Sequence, residues 1–517
     1  MTDRRLRVIR RTEESAEADV LAILDAATVR ILLPPGNVAW RHQVLAEALV
    51  DLLSRVLPRL DIVCDSDVLA ATDLPPGPAG LAERLEAVRT HGVSPDSPGD
   101  PSLTIGIGSV EGAEMWADGS AWQSYIGTQP SCLVGDDASR IPVGSLAAAC
   151  RVAAHAFSRV MGTAVPQLRI PASLYSTALG YRFDTRPLDD PDLTFELKLA
   201  VAMVGAGSVG GAVAYTFART PGLRGNLEVI DPQLLEAGNL DRALLATAQR
   251  SSAEEAKVDV VEDALAHMPD LVVSPCRATV RVWLAQRPRE KPLPLVLCAV
   301  DSSAARRAVQ DCLPLHVLNA ACSPHEVTVS RHVTGNGPCV CCLHMAEALD
   351  ADRIKARLIA TATGFNFEMV VALLVARVPL LPAHIQGIEL HRGLPPGALD
   401  DFVGSTLEAL WGAQLLYGAT IAETSGGVVA VAAPWVTALA GVLLAAEALK
   451  EGADHQPYRL GPGAVAIKYA ENPYASPEFA QLSSPDRWPT SECLCRSPRR
   501  ARLMSERYAL PPGAYDV

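Results

Sequence analysis

An α/β protein is what this sequence predicts, with a glycine-rich turn after a buried strand in its second half and a further α/β layer ahead of it. Three observations carry that expectation. Apolar runs of strand length alternate with helix-period stretches through both halves of the chain. One such run, Leu199 to Val204, passes straight into Gly205-Ala206-Gly207-Ser208-Val209-Gly210 and then into a helix rich in Ala and Val. The next apolar strand, Asn226 to Ile230, ends on a carboxylate, Asp231.

The chain has 517 residues, enough for two or three domains with apolar cores. A net charge of −13 argues against a nucleic-acid partner, since no basic face offsets it. The first stretch, MTDRRLRVIRRTEESAEAD, is basic and then acidic, and lacks the apolar centre of a signal peptide. Val29 to Leu33 predicts a strand, Pro34 to Asn37 a turn, and WRHQVLAEALVDLLSRVL a helix with apolar residues three and four apart. Strands at Leu60 to Cys64 and Leu103 to Gly108 follow, then an Ala-rich helix from Val143 to Met161. This order implies a parallel sheet within residues 1–165. Pro34 and Pro35 occupy the turn where a phosphate cradle needs glycine and free N–H groups. No series of Asn, Arg and Lys follows Asp65. This half is therefore expected either to resemble the second one without its nucleotide chemistry or to recognise the substrate. Residues 166–196 are Pro-punctuated and polar, and read as a linker. Its Arg182 and Arg186 either reach the nucleotide site or are solvated charges.

In the second half, 197–517, each glycine of the loop has a physical task. Gly205 permits a tight turn, Gly207 admits a phosphate against the backbone, and Gly210 lets the helix approach the strand. The helix N-terminus offers N–H groups and a positive dipole end to an anion. Asp231 is placed to accept ribose hydroxyls. Nicotinamide oxidoreductases are common owners of such a loop. However, Asn239, Arg242, Lys257 and, at the tip of the strand LPLVLCAV, Asp301 form a set that redox chemistry does not need. Two cations, an amide and a metal-capable carboxylate suit nucleotidyl transfer, which is mainly positioning and charge neutralisation.

This ordered set resembles the ThiF-type adenylyltransferases, whose Rossmann-like fold is shared by sulfur-carrier activators and ubiquitin-activating enzymes. The resemblance runs from about residue 197 to 500, through NAACSPHEVTV and GPCVCCL to the last cysteine pair. It implies ATP bound on Gly205, Gly207, Gly210, Asp231, Asn239, Arg242 and Lys257, with Mg²⁺ on Asp301. Arg242, Lys257 and Asp301 would be the catalytic residues. The expected reaction is adenylation of the C-terminal carboxylate of a ubiquitin-like or sulfur-carrier protein. The alternatives are a peptide-adenylating enzyme of natural-product biosynthesis and, further off, an NAD-dependent oxidoreductase. Partners implied are the carrier or peptide, a conjugating enzyme or thiol acceptor, and a second copy of the chain. The family's arginine ahead of the glycine loop has no clear counterpart here.

Twelve cysteines in a chain of this length suit a reducing cytoplasm better than a disulfide framework. Cys339 and Cys342, with the later pair Cys493 and Cys495, match a tetrahedral Zn²⁺ site, and Cys341 is a substitute ligand. Cys64, Cys150, Cys276, Cys298 and Cys312 read as small buried hydrophobes. Cys322, near His325, is a candidate nucleophile, although reactive thiols need an activating setting. His332, His344 and His391 read as structural. Residues 343–492 contain no cysteine to receive an activated protein, and 413–427 reads as a loop. Val428 to Leu449 is the most membrane-like run, but its alanines, Pro434, Thr437 and Glu447 favour a buried helix centred on Val436 to Lys450.

Overall fold

The computed structural model describes residues 17–89, 100–133, 140–161, 171–190, 198–288, 292–323, 326–333, 339–342, 363–392, 399–407, 420–424, 427–431, 433–452, 466–469, 480–483 and 497–508, with isolated positions between. The first half contains α1 (Glu17–Ala26), β1 (Thr28–Leu32), α2 (Trp40–Ser54), β2 (Arg59–Val63), α3 (Leu81–Ala87), β3 (Leu103–Ile107), β4 (Met115–Ser120), β5 (Gln123–Gly127), α4 (Val143–Met161), β6 (Ser173–Thr177) and β7 (Arg182–Asp184). Its seven-stranded sheet runs β2-β1-β3-β4-β5-β6-β7.

This sheet is mixed rather than parallel. Strands β1 to β4 pair in parallel, and β4 to β7 pair antiparallel. Only Ala121 and Trp122 separate β4 from β5, with Ala121 at φ 46°, and so short a link can form only a hairpin. The segment read as a linker, 166–196, contributes β6 and β7. Proline and glycine around short strands hid them. Tyr175 on β6 stacks against Tyr125 on β5 at 4.7 Å, and Arg182 pairs with Asp190 at 2.9 Å. Arg182 is thus committed within its own segment.

The second half contains β8 (Lys198–Val204), α5 (Ser208–Phe217), β9 (Arg224–Ile230), α6 (Ala248–Ser252), α7 (Lys257–Leu265), β10 (Leu271–Cys276), α8 (Val280–Gln286), β11 (Leu295–Cys298), α9 (Ser303–Asp311), β12 (His316–Ser323), β13 (Glu326–Val333), α10 (Phe367–Ala376), α11 (Pro382–Arg392), β14 (Thr420–Thr424), β15 (Gly427–Val431), α12 (Pro434–Gly452), β16 (Ala466–Tyr469), β17 (Ala480–Ser483) and α13 (Pro498–Tyr508). The eight-stranded sheet runs β10-β9-β8-β11-β12-β13-β16-β17, parallel from β10 to β12 and antiparallel beyond. Part of the stretch expected as a loop, 413–427, is strand instead, because residues 420–424 pair antiparallel with 427–431, Thr424 opposite Gly427. The rest of it lies outside the described residues.

With β10 set aside, the two sheets have one topology. Strands β2, β1, β3, β4, β5, β6 and β7 match β9, β8, β11, β12, β13, β16 and β17 in order and direction. Helices α4 and α12 each have 19 residues and precede the matching strands β6 and β16. Helix α4 lies on the first sheet, α12 on the second, and the two pack against each other. A single apolar cluster takes in residues of both halves. At Gly441 of α12 an added Cβ would lie 2.4 Å from Ala212 Cβ of α5, so glycine sets that close helix approach. Polar ties also cross the join: Tyr181 donates to Glu447 at 2.5 Å, Lys450 to the Ala178 carbonyl at 3.0 Å, and Arg219 to Glu47 at 2.7 Å. Among the described residues no helix is long and apolar enough to cross a membrane.

Candidate nucleotide site

The glycine loop leaves the C-terminal tip of β8, where ligands of open α/β sheets bind. Gly205 sits at φ +96°, and a Cβ there would meet the Ala299 carbonyl of the neighbouring β11 exit at 2.5 Å. A Cβ on Gly210 would lie 1.9 Å from the Gly205 carbonyl. Both positions are closed to any side chain. Gly207 differs, because a Cβ there would meet nothing within 4 Å. It precedes the first turn of α5, whose N–H groups have no helical partner. The loop is therefore rigid on its protein side and open on its solvent side, as an anion cradle must be.

Asp231, buried at the tip of β9, holds that shape. Its Oδ2 accepts the Ala206 N–H at 2.8 Å and its Oδ1 accepts the Gln233 N–H at 2.8 Å. A carboxylate has about four acceptor sites, so ribose hydroxyls can still be accepted. Beyond it, Asn239 closes a capping turn by accepting the Glu236 N–H on Oδ1 at 2.9 Å. Asn239 lines a shallow, open pocket together with Ala206, Gly207, Leu235, Lys257 and Val260. Arg242, half-buried, follows on the same turn.

Lys257 is the first residue of α7, where the helix dipole opposes a cation. Its side chain is nonetheless buried, and Nζ donates to Gln233 Oε1 at 2.7 Å. Burial pushes its pKa below the ordinary value, against the pull of Asp231, Glu236 and Asp301, while Arg242 lowers it further. All four charges named in the sequence thus act at one place. Asp301 is exposed just past the tip of β11. An exposed carboxylate beside cations and an open glycine loop fits Mg²⁺, which is usually held by one or two carboxylates together with substrate phosphates.

Two residues at this edge escaped the sequence reading. Gln233 orients Lys257, and only its contact shows that. Arg306, five residues after Asp301, is buried and donates from Nη1 to the Asp301 carbonyl at 3.4 Å and from Nε to Asn319 Oδ1 at 3.2 Å. Asn319 donates in turn to Ser330 Oγ at 3.3 Å, and Ser330 pairs with His332 at 2.9 Å. This buried chain supports the end of β11 from below. The structural reading of His332 stands.

The cysteines divide as follows. Cys339 and Cys342 are buried with their sulfurs 3.8 Å apart. Two thiolates at about 2.3 Å from a tetrahedral zinc are separated by about 3.8 Å. Cys493 and Cys495 lie outside the described residues, and among the described residues no group of three or more metal ligands forms. Burial pushes the Cys322 thiol up to about 11, with Asp301 adding to the rise and Arg306 and Arg242 opposing it. This is a protonated thiol at neutral pH, the reverse of an activated nucleophile. His325 lies outside the described residues. Cys150 and Cys312 are raised to about 12 and Cys298 to about 11, each chiefly by burial.

The first half repeats part of this edge. Gly36 donates its N–H to Asp65 Oδ2 at 2.8 Å, as Ala206 does to Asp231. There the likeness stops. Pro34 and Pro35 remove N–H groups, and the His42 ring, bonded to Asp118 at 3.0 Å, packs against Gly108.

The sequence pattern of the ThiF family matches residues 192–485. The uncharacterized protein y4jF of Sinorhizobium fredii (strain NBRC 101917 / NGR234) is 30% identical over 347 residues, covering 62% of this chain. The chain spans 62% of that relative's own length. Among solved structures, E. coli MccB with MccA-N7isoASN aligns with a TM-score of 0.31 at 14% identity, covering 57% of this chain and 66% of that one. PaaA in selenomethionine form aligns with a TM-score of 0.21 at 22% identity, covering 26% of this chain and 41% of that one.

Proposed function

The chain belongs to the ThiF family, and from that premise we propose that it is an ATP-dependent adenylyltransferase acting on a chain-end carboxylate. The observation that carries this reading is the gathering of Lys257, Asn239, Arg242 and Asp301 around a glycine loop open at Gly207. In it the N–H groups of the loop and the side chains of Asn239, Arg242 and Lys257 hold the phosphates, and Asp231 takes the ribose. Asp301 holds Mg²⁺, which supplies charge neutralisation at the phosphates. The substrate carboxylate attacks the α-phosphorus; the bond from that phosphorus to the bridging oxygen breaks, and pyrophosphate leaves with its electron pair. An acyl adenylate remains. No general base is required, because a carboxylate is ionised at neutral pH. The cationic side chains lower the barrier by meeting charge that grows in the transition state.

The substrate in this reading is the C-terminus of a ubiquitin-like or sulfur-carrier protein, or of a peptide. The peptide reading gains from the lack of any cysteine in residues 343–492, since it needs no thioester. The first half serves as an adenylation-like partner without nucleotide chemistry, for which the shared strand order and the Pro34-Pro35 turn are the support. A zinc tie between Cys339, Cys342, Cys493 and Cys495 also belongs to this reading, as does a cytoplasmic location for so thiol-rich a chain. ATP–pyrophosphate exchange with candidate carriers and peptides tests the proposal. Arg242→Ala or Asp301→Ala should each lower exchange by about a hundredfold, as loss of one preorganised charge contact does. Near-normal exchange in both variants refutes it.

A further inference from the structure

The turn that bears Asn239 and Arg242 is held by the other half of the chain. Between Leu240 and Leu244 the backbone is neither helix nor strand, so its carbonyls have no ladder to join. Buried carbonyls of that kind must find partners elsewhere. Arg55, at the C-terminal end of α2, supplies two of them: Nη1 donates to the Leu240 carbonyl at 2.5 Å and Nη2 to the Leu244 carbonyl at 3.1 Å. Asp51, one turn earlier on α2, accepts from Nη2 at 2.6 Å and fixes the guanidinium plane. The carbonyl between them, that of Arg242, accepts from Thr437 Oγ1 of α12 at 3.2 Å. Arg55 is 3% exposed and Asp51 is 4% exposed, so neither contact is diluted by water.

We infer that Arg55 is a positioning residue for the nucleotide site, through which the first half of the chain sets the turn carrying Asn239 and Arg242. This rests on the reading of those two side chains as phosphate ligands. A planar fork can span two carbonyls and a carboxylate at once, which a lysine ammonium on a flexible stem does not reproduce. Thr437 holds the same turn from the side of α12, so the three carbonyls face protein and the turn is not free to rotate.

The test uses the full-length chain with Arg55→Lys, which keeps the charge beside Asp51, and Tyr181→Phe as a control. The control removes a different buried bond across the same join, that to Glu447. Hydrogen exchange of the amides 239–246 is measured without nucleotide, and binding of magnesium β,γ-methylene-ATP is measured at equilibrium. Arg55→Lys should speed exchange in 239–246 and weaken the nucleotide by about tenfold each, as loss of a charged hydrogen bond does, with Tyr181→Phe moving neither. Unchanged exchange at 239–246 in Arg55→Lys, or an equal change in Tyr181→Phe, overturns the inference. If the unaltered protein binds no nucleotide, the adenylation reading falls, and the exchange result still decides whether Arg55 holds the turn.

Discussion

Lys257 concentrates the electrostatics of the site in one amine. Burial disfavours its charge, so between its lowered pKa and the ordinary 10.5 the unfolded chain binds the proton more tightly than the folded one. In that window the nucleotide-free protein therefore gains stability from this group as pH rises. A triphosphate reverses the preference by favouring the ammonium. Nucleotide affinity should thus fall as pH rises through the lowered pKa, with proton uptake on binding. Calorimetry in buffers of different ionisation enthalpy reads that uptake, and Lys257→Met should abolish it. Cys322 gives the opposite expectation. With its thiol at about 11, Cys322→Ser should leave pyrophosphate exchange within about twofold of the parent, because a half-buried neutral thiol packed on the core acts as a small hydrophobe. A loss of activity there would return it to the list of nucleophiles.

At the scale of the element, the glycine loop separates folding from binding within six residues. Gly205→Ala or Gly210→Ala forces a Cβ against backbone oxygen and should destabilise the protein by about 1–3 kcal/mol or more. Gly207→Ala meets no neighbour. It should keep the melting temperature and weaken nucleotide binding, because the methyl group stands where a phosphate approaches. Thermal unfolding beside equilibrium binding distinguishes the two effects, and a fall in melting temperature for Gly207→Ala would contradict the open-cradle reading. The strand–loop–helix order around these glycines was legible in the sequence, since turn, cap and buried strand are all local. Strands β6 and β7 were not legible, since short polar strands acquire their identity from the partner they pair with.

Among the described residues the two large sheets, with β10 set aside, share one topology and are joined through α4, α5 and α12. Glu447 and Lys450 sit in that join with almost no exposure, and burial pushes the Lys450 pKa down while Glu447 raises it. Lys450→Met leaves a buried carboxylate with less compensation and should cost about 3–5 kcal/mol. The double variant Glu447→Leu/Lys450→Met strands no charge but deprives the Tyr181 hydroxyl, the Leu460 N–H and the Ala178 carbonyl of their partners, so it should recover only part of that loss. Urea unfolding midpoints of the single and double variants decide it. A double variant as unstable as the single one would mean that the ion pair itself stabilises the join. A shared apolar core also predicts that residues 198–517 expressed alone lose their cooperative unfolding, which calorimetry would show.

The sequence alone determined the glycine cradle, the order Asp231, Asn239, Arg242, Lys257 and Asp301, the buried helix near Val436, and the family they mark. Each depends on residue type and short spacing, which chain chemistry expresses directly. Only the tertiary structure decided that the first sheet is mixed, that Ser173–Thr177 and Arg182–Asp184 complete it, that Gln233 and Arg306 support the site, and that Arg55 holds a turn 185 residues away. Those facts depend on which buried carbonyls and charges lack a local partner, and a buried polar group takes its partner from whatever the packed chain brings within reach.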